Sequence, residues 1–207
     1  LASEGLVAGV HNVGDVMYDV ALFYRERARA QSTILADLGL QEGQFALATC
    51  HRAENTDDPQ RLAEIVTALA QISDHLPVVL PLHPRTRKLI ADNGLAGNLG
   101  AVRVTDPIPF LDMVALEQAA KVILTDSGGV QKEAFFYGVP CVTMRDETEW
   151  VETVELGWNR LVGASAEAIV SAVAEVSASS LRPLAVSPYG QGDSARKIVA
   201  NIVNRLV

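Results

Sequence analysis

The stretch Thr125-Asp126-Ser127-Gly128-Gly129-Val130-Gln131-Lys132-Glu133 brings together residue types that suit an anion. Ser127 is a favoured helix N-cap, and Gly128 and Gly129 leave the N–H groups of a first helical turn unobstructed by side chains. A helix N-terminus gathers free donors and partial positive charge, which is where a phosphate settles. Glu133 stands four residues past Gly129, on the same helix face, where its carboxylate could accept hydrogen bonds from a diol. Phosphate plus diol describes a nucleotide ribose. The same residues also suit a plain tight turn with a capping serine, and residue types alone leave both readings open. The pattern is neither G-x-G-x-x-G nor a Walker loop ending in GK[ST].

Three other stretches carry reactive side chains. In TCHRAEN (49–55), His51 with Arg52 beside it could donate to a phosphate or move a proton, or could simply cap the loop that follows. A metal site built from His51, Glu54 and His83 lacks cysteines and familiar ligand spacing, so no metal is expected. In PLHPRTRK (81–88), the cations Arg85, Arg87 and Lys88 read either as a solvated helix face or as part of a site. In MRDETEW (144–150), Arg145 either completes the phosphate site or pairs with Asp146 and Glu147. Neither a G-x-S-x-G elbow nor a Ser/His/Asp order is visible, so covalent hydrolysis through Ser127 is not expected.

The elements that must position these residues alternate. Strand-like runs VHNVG (10–14), FALATC (45–50), PVVLPL (77–82), AVRVT (101–105), KVILT (121–125), PCVTM (140–144) and NRLVG (159–163) are separated by helix-like stretches. The helices are expected from Val16 to about Gln31, from Pro59, after His83-Pro84, over Phe110–Ala119, after the glycines, over Ala166–Val176 and over Asp193–Leu206. Short continuous apolar strands suit a sheet covered on both faces, and alternation with helices implies right-handed crossovers. The fold class is therefore α/β, a doubly wound parallel sheet, whose ligands bind beyond the carboxyl ends of the strands. All four reactive stretches directly follow strands.

With 207 residues, 49% hydrophobic and 20% charged, the chain has ordinary globular composition and can support one sizeable core. Neither a linker-like stretch nor a repeat interrupts it, so a single domain over 1–207 is expected. A formal charge of −8 argues against nucleic acid or an anionic membrane as partner. The apolar runs are too short to span a bilayer, and the chain opens on no signal-peptide pattern. Cys50 and Cys141 each border a strand-like run and are expected as buried thiols in a reducing compartment. The sequence begins at Leu1 rather than at a methionine and is expected to be a piece of a longer polypeptide.

The segment TDSGGVQKEAFFYGVPCVTMRDETEW, together with CHRAEN, HPRTRK, ELGWNRLVG and SPYGQGDSARKI, resembles the C-terminal half of the non-hydrolysing UDP-N-acetylglucosamine 2-epimerases over essentially the whole chain. The resemblance implies one Rossmann-like half of a glycosyltransferase-B type fold, the half that grips UDP, with the active site in the cleft between halves. It implies that Ser127, Gly128 and Gly129 hold the diphosphate, that Glu133 binds the ribose hydroxyls, and that Ile108, Met113 and Arg145 belong to the UDP site. Met113 falls where the family often has a phenylalanine beside the uracil. Trp150 falls where members with TER have an arginine, which puts that phosphate contact in question. His51 matches the family's histidine near the diphosphate and is the catalytic candidate in this chain. Arg52 and His83 match positions that touch a second, regulatory nucleotide sugar in some bacterial members.

The reaction so implied inverts C2 of the sugar of a UDP-sugar substrate, without a cofactor, by loss and re-addition of UDP. The carboxylates that handle the C2 proton would lie in a missing N-terminal domain, so this chain alone is expected to bind UDP weakly and turn over nothing. The full-length protein would be a cytoplasmic homodimer serving cell-surface polysaccharide biosynthesis. QKEA, DETEWVE and GWN further resemble the branch acting on UDP-2,3-diacetamido-2,3-dideoxyglucuronate, with UDP-N-acetylglucosamine as the alternative. The donor half of a nucleotide-sugar glycosyltransferase and a non-catalytic nucleotide-sugar module are the competing readings. The terminal helix 193–206 is expected to lay Ile198, Ile202 and Leu206 on the missing domain.

Overall fold

The apolar runs become strands of one sheet because their residues can be covered on both faces. In the computed structural model, which describes residues 4–178 and 188–206, these are β1 (Ala46–Thr49), β2 (Val78–Pro81), β3 (Arg103–Thr105), β4 (Val122–Thr125), β5 (Cys141–Thr143) and β6 (Asn159–Leu161). β1 and β4 are buried at every residue. All the pairings are parallel, in the order β3-β2-β1-β4-β5-β6. The order reverses between β1 and β4, where Thr49 lies opposite Thr125. In such a sheet that reversal opens a crevice beyond the strand ends.

The helices are α1 (Val16–Gln31), α2 (Ile34–Asp37), α3 (Ala53–Thr56), α4 (Pro59–Ser73), α5 (Pro84–Asp92), α6 (Phe110–Ala119), α7 (Gly128–Tyr137), α8 (Val151–Glu155), α9 (Ala166–Ala178) and α10 (Ser194–Leu206). α4 shows why they form where they do. The Asp58 side chain accepts from the N–H groups of Gln60 and Arg61, and Pro59 fills the first turn, where its missing N–H costs nothing. Leu62, Ile65, Val66 and Leu69 then fall on one face and pack with Leu80, Val122, Leu124, Ile169 and Val173. Each such side chain removed from water contributes about 1.5–3 kcal/mol.

The chain divides into two compact units, and among the described residues one takes in 24–178 with the whole sheet, the other 4–23 and 188–206. In the second unit Asp15 starts α1 by accepting the Met17 N–H at 2.7 Å. Asp19 caps α10 in the same way, accepting from Ser194 at 3.1 Å and Ala195 at 2.8 Å. Gly14 adopts φ +90°, and a Cβ there would stand 2.6 Å from Ser194 Oγ and 2.7 Å from the Tyr189 carbonyl.

Residues 10–14 form no strand, contrary to the expectation from VHNVG. The Asn12 side chain accepts the Gly14 N–H at 3.1 Å, so the segment turns on itself instead of extending. The other six strands stand where the apolar runs placed them. Both cysteines are buried free thiols. Among the described residues, no helix is long and apolar enough to cross a membrane, and no group of His, Cys, Asp and Glu could hold a metal ion. Ser187, which opens SPYGQGDSARKI, and the Leu206 side chain lie outside the described residues.

Candidate functional site

The loops after β1, β4 and β5 are tied together by one buried carboxylate. Asp126, the first residue past β4, is fully buried. It accepts from the backbone N–H of His51 at 3.0 and 3.1 Å, from that of Arg52 at 2.9 Å and from the Asn55 amide at 3.2 Å. Asn55, also fully buried, passes the link on by donating to the Met144 carbonyl at 2.8 Å, at the end of β5. A carboxylate out of water must be met by several donors, and here the loop after β1 supplies them all, while Asn55 carries the link on to the end of β5. Beneath it, the hydroxyls of Thr49 and Thr125 meet at 2.6 Å across the reversal of strand order.

That junction fixes the start of α7. Ser127 occupies the N-cap position with extended backbone, as its type suggests, but its hydroxyl caps nothing. Its own N–H donates to Thr125 Oγ1 at 2.9 Å. The sequence reading of a capping side chain is corrected here. The first-turn donors are left to whatever else can reach them. A Cβ on Gly128 would stand 3.3 Å from Trp150 Nε1 and 3.7 Å from both Arg52 Nη2 and Glu149 Oε2. At Gly129 the nearest such atom is Ser127 Oγ at 3.9 Å. Gly138, at φ +71°, ends the helix in the left-handed cap that glycine favours.

Arg145 is buried and held on two sides, by Glu54 at 3.1 Å and by both oxygens of Glu149 at 3.0 and 3.3 Å. Its neighbours Asp146 and Glu147, the acids sequence proximity suggested, are not its partners in these pairs. Asp146 instead meets Arg61 at 2.9 Å. Hydrogen bonds from Arg145 hold the Glu149 carboxyl below the usual carboxylate range, with Arg52 adding to the effect. The Trp150 indole lies 4.2 Å below the Lys132 ammonium, and its N–H is buried without a hydrogen-bond partner among the described residues.

Beside this junction a cleft of about 480 Å³ runs along the strand ends, lined by His51, His83, Arg85, Ile108, Met113 and Val130 among others. The His51 ring is half exposed, with Nδ1 3.7 Å from Asp126 Oδ1. His83 caps α5 through Nδ1, which accepts the Arg85 N–H at 3.2 Å. The basic run is paired: Arg85 with Asp57, Arg87 with Asp106 at 2.9 Å, and Lys88 with Asp92. Glu133, on α7, is half buried; burial raises its carboxyl above the ordinary range, while Lys132 draws it back. Glu117 on α6 is fully buried, and burial together with the Glu133 charge pushes it well up.

The structure thus brings Ser127, Gly128, Gly129, Arg145 and Arg52 to one end of α7, and His51, His83, Ile108 and Met113 to one cleft. Sequence reading gave no role to Asp126 or Glu149, although both stood inside the quoted motifs. The signal for Asp126 was an acidic residue directly after the apolar run of β4, at the strand-to-helix turn.

The family sequence model described as UDP-N-acetylglucosamine 2-epimerase matches residues 1–203. The UDP-2,3-diacetamido-2,3-dideoxy-D-glucuronate 2-epimerase of Pseudomonas aeruginosa is 56% identical over 174 residues, which is 82% of this chain and 47% of that protein. A UDP-N-acetylglucosamine 2-epimerase homolog of Methanococcus maripaludis is 42% identical across 99% of this chain and 57% of its own length. The chain therefore spans about half the length of the curated relatives it matches. Among solved structures, the Methanocaldococcus jannaschii UDP-GlcNAc 2-epimerase in complex with UDP-GlcNAc and UDP superposes with a TM-score of 0.88 at 33% identity, over 98% of this chain and 57% of that one.

Proposed function

The chain belongs to the UDP-N-acetylglucosamine 2-epimerase family, and on that footing we propose that residues 1–207 are the UDP-gripping domain of a non-hydrolysing 2-epimerase acting on a UDP-2-acetamido sugar. The observation that carries this reading is the uncapped N-terminus of α7, set at the β1/β4 reversal beside Arg52 and Arg145. A diphosphate at Ser127, Gly128 and Gly129 meets first-turn N–H groups and two guanidinium groups. Glu133, along the same helix, takes the ribose hydroxyls. Ile108 and Met113 cover the uracil in the neighbouring cleft with apolar contact. His51 stands at the mouth of both regions as a donor toward the diphosphate.

The reaction follows from what such a site can stabilise. A base outside this chain removes the C2 proton, and the C1–O bond to UDP breaks with its electron pair leaving on the diphosphate, giving a glycal. UDP then adds back at C1 while a proton enters C2 from the opposite face. Charge grows on the departing diphosphate, and oriented N–H groups with arginines lower the barrier for that step. The sugar and the proton-handling carboxylates belong to an N-terminal domain that completes the cleft. The full-length protein is a cytoplasmic homodimer. The 2,3-diacetamido uronate is the first sugar to test, because the relative at 56% identity carries that name.

The test is calorimetric titration of UDP into the 207-residue chain and into a Ser127→Ala/Glu133→Ala variant, with uridine as control. Saturable UDP binding, lost in the variant and weak for uridine, supports the reading. UDP binding that is indifferent to both substitutions refutes it. Acceptor-free C2 inversion by the full-length protein separates an epimerase from a glycosyltransferase, which transfers the sugar only when an acceptor is added.

A further inference from the structure

Glu149 is a carboxylate standing where the site wants an anion. Its Oε2 lies 3.7 Å from the position of a Cβ on Gly128, the first residue of α7, and Arg52 Nη2 lies equally close to that point. Both Glu149 oxygens are held by the Arg145 guanidinium, at 3.0 and 3.3 Å. Two cations and a helix N-terminus therefore converge on one acidic side chain. That side chain is exposed over 55% of its surface, while the guanidinium holding it is 4% exposed. The cation is built into the fold, and the anion meets it from the solvent side. The Trp150 N–H, 3.3 Å from the same point, is buried and has no acceptor among the described residues. A buried donor without a partner marks a place where an acceptor is still wanted.

We propose that Glu149 is an internal anion that occupies the α7 N-terminus in place of a diphosphate and gives up Arg145 when a diphosphate arrives. The proposal rests on the UDP reading above and adds its regulation. A diphosphate carries more charge than one carboxylate and more acceptor oxygens, so it satisfies Arg145, Arg52 and the first-turn N–H groups together. Until a diphosphate arrives, Glu149 neutralises the cations gathered there, and the need to displace it weakens binding of any anion too small to replace it. Glu54, the other partner of Arg145 at 3.1 Å, stays in place and keeps the guanidinium oriented.

The experiment titrates UDP, inorganic pyrophosphate and uridine into the wild-type chain and into Glu149→Gln, Glu149→Ala and Glu54→Gln. Removing one negative charge at near-contact distance from the bound anion is expected to tighten UDP and pyrophosphate on the order of tenfold in both Glu149 variants. Uridine binding is expected to stay as it was, and Glu54→Gln to leave UDP unchanged or weaker. Equal or weaker diphosphate binding in the Glu149 variants overturns the proposal and makes Glu149 a support for Arg145. The same gain in Glu54→Gln also overturns it, by reducing the effect to net charge. If neither UDP nor pyrophosphate binds the wild type or any variant, the UDP reading itself falls and this inference with it.

Discussion

The Asp126 carboxylate at the end of β4 lies 2.9 Å from the backbone nitrogen of Arg52, in the loop that follows β1. The two residues are far apart in sequence, yet this bond sets the separation of the two strand ends that make the crevice. Asp126→Asn replaces an acceptor-only group by one that turns an NH₂ toward the N–H of His51 or Arg52. Charge-assisted bonds of this kind are worth about 1.5–3 kcal/mol each, so a stability loss of that order is expected. UDP affinity should fall with it, because Arg52 and α7 lose their common anchor. Urea denaturation of the two chains reads the first effect. A loss smaller than about 0.5 kcal/mol, the scatter of ordinary surface changes, is incompatible with a clamp.

The two glycines at the α7 N-terminus are separable by substitution. A Cβ at Gly129 meets nothing nearer than 3.9 Å, whereas at Gly128 it comes within 3.3 Å of the Trp150 ring nitrogen. Gly129→Ala should leave the fold intact or stabilise it by about 0.5–1 kcal/mol, since alanine is the better helix former. If the backbone there must approach a diphosphate, the same change should still cut UDP binding. Thermal melting alongside calorimetry checks both halves. Gly129→Ala with unchanged UDP affinity would show that the glycine serves the turn alone.

The interior of the sheet was legible because its physics is local. Runs such as FALATC and KVILT are apolar without alternation, which only a strand buried on both faces requires. VHNVG resembled them in composition, but Asn12 and Gly14 close a turn through one side-chain bond that no hydropathy pattern records. The site was legible in its donors and opaque in its acids. Gly128 and Ser127 announce a helix start by type, whereas Asp126 and Glu149 act through partners that only the folded sheet brings near. Arg145 makes the same point. Sequence proximity proposed Asp146 and Glu147, and the fold supplied Glu54 and Glu149.

Glu117 gives the fold a pH dependence of definite sign. Burial first, then the charge of Glu133, raises its carboxyl well above the ordinary value of 4.5. The folded state therefore holds a proton that the unfolded chain gives up near pH 4.5. Stability contributed by this group is full below that pH and is lost as pH rises toward the folded-state value. Glu117→Gln keeps a neutral side chain of similar shape at every pH. The variant should match the wild type near pH 4.5 and gain on it steadily toward neutrality. Urea midpoints measured across that range decide the matter, and parallel curves for the two proteins would mean that Glu117 ionises in the fold as freely as outside it.

The terminal helix carries the last prediction. On α10, Ile198, Val199, Ile202 and Val203 are exposed, Ile202 by 54% and Val199 by 59%. Exposed large apolar residues in the same unit include Val16, Met17, Val20 and Phe23 on α1. Monomers seldom leave contiguous apolar surface of this kind in water, so the isolated chain should self-associate at high micromolar concentration. Replacing Val199 and Ile202 by glutamate should suppress that association. It should cost little stability, because neither side chain is buried. Sedimentation velocity on both forms measures it directly. If an N-terminal domain covers this face in the full-length protein, the same pair of glutamates should instead loosen the two domains. Limited proteolysis would then release the 207-residue piece faster from the variant than from the wild type. A wild-type chain that sediments as a clean monomer at every concentration would show that these residues tolerate water unaided.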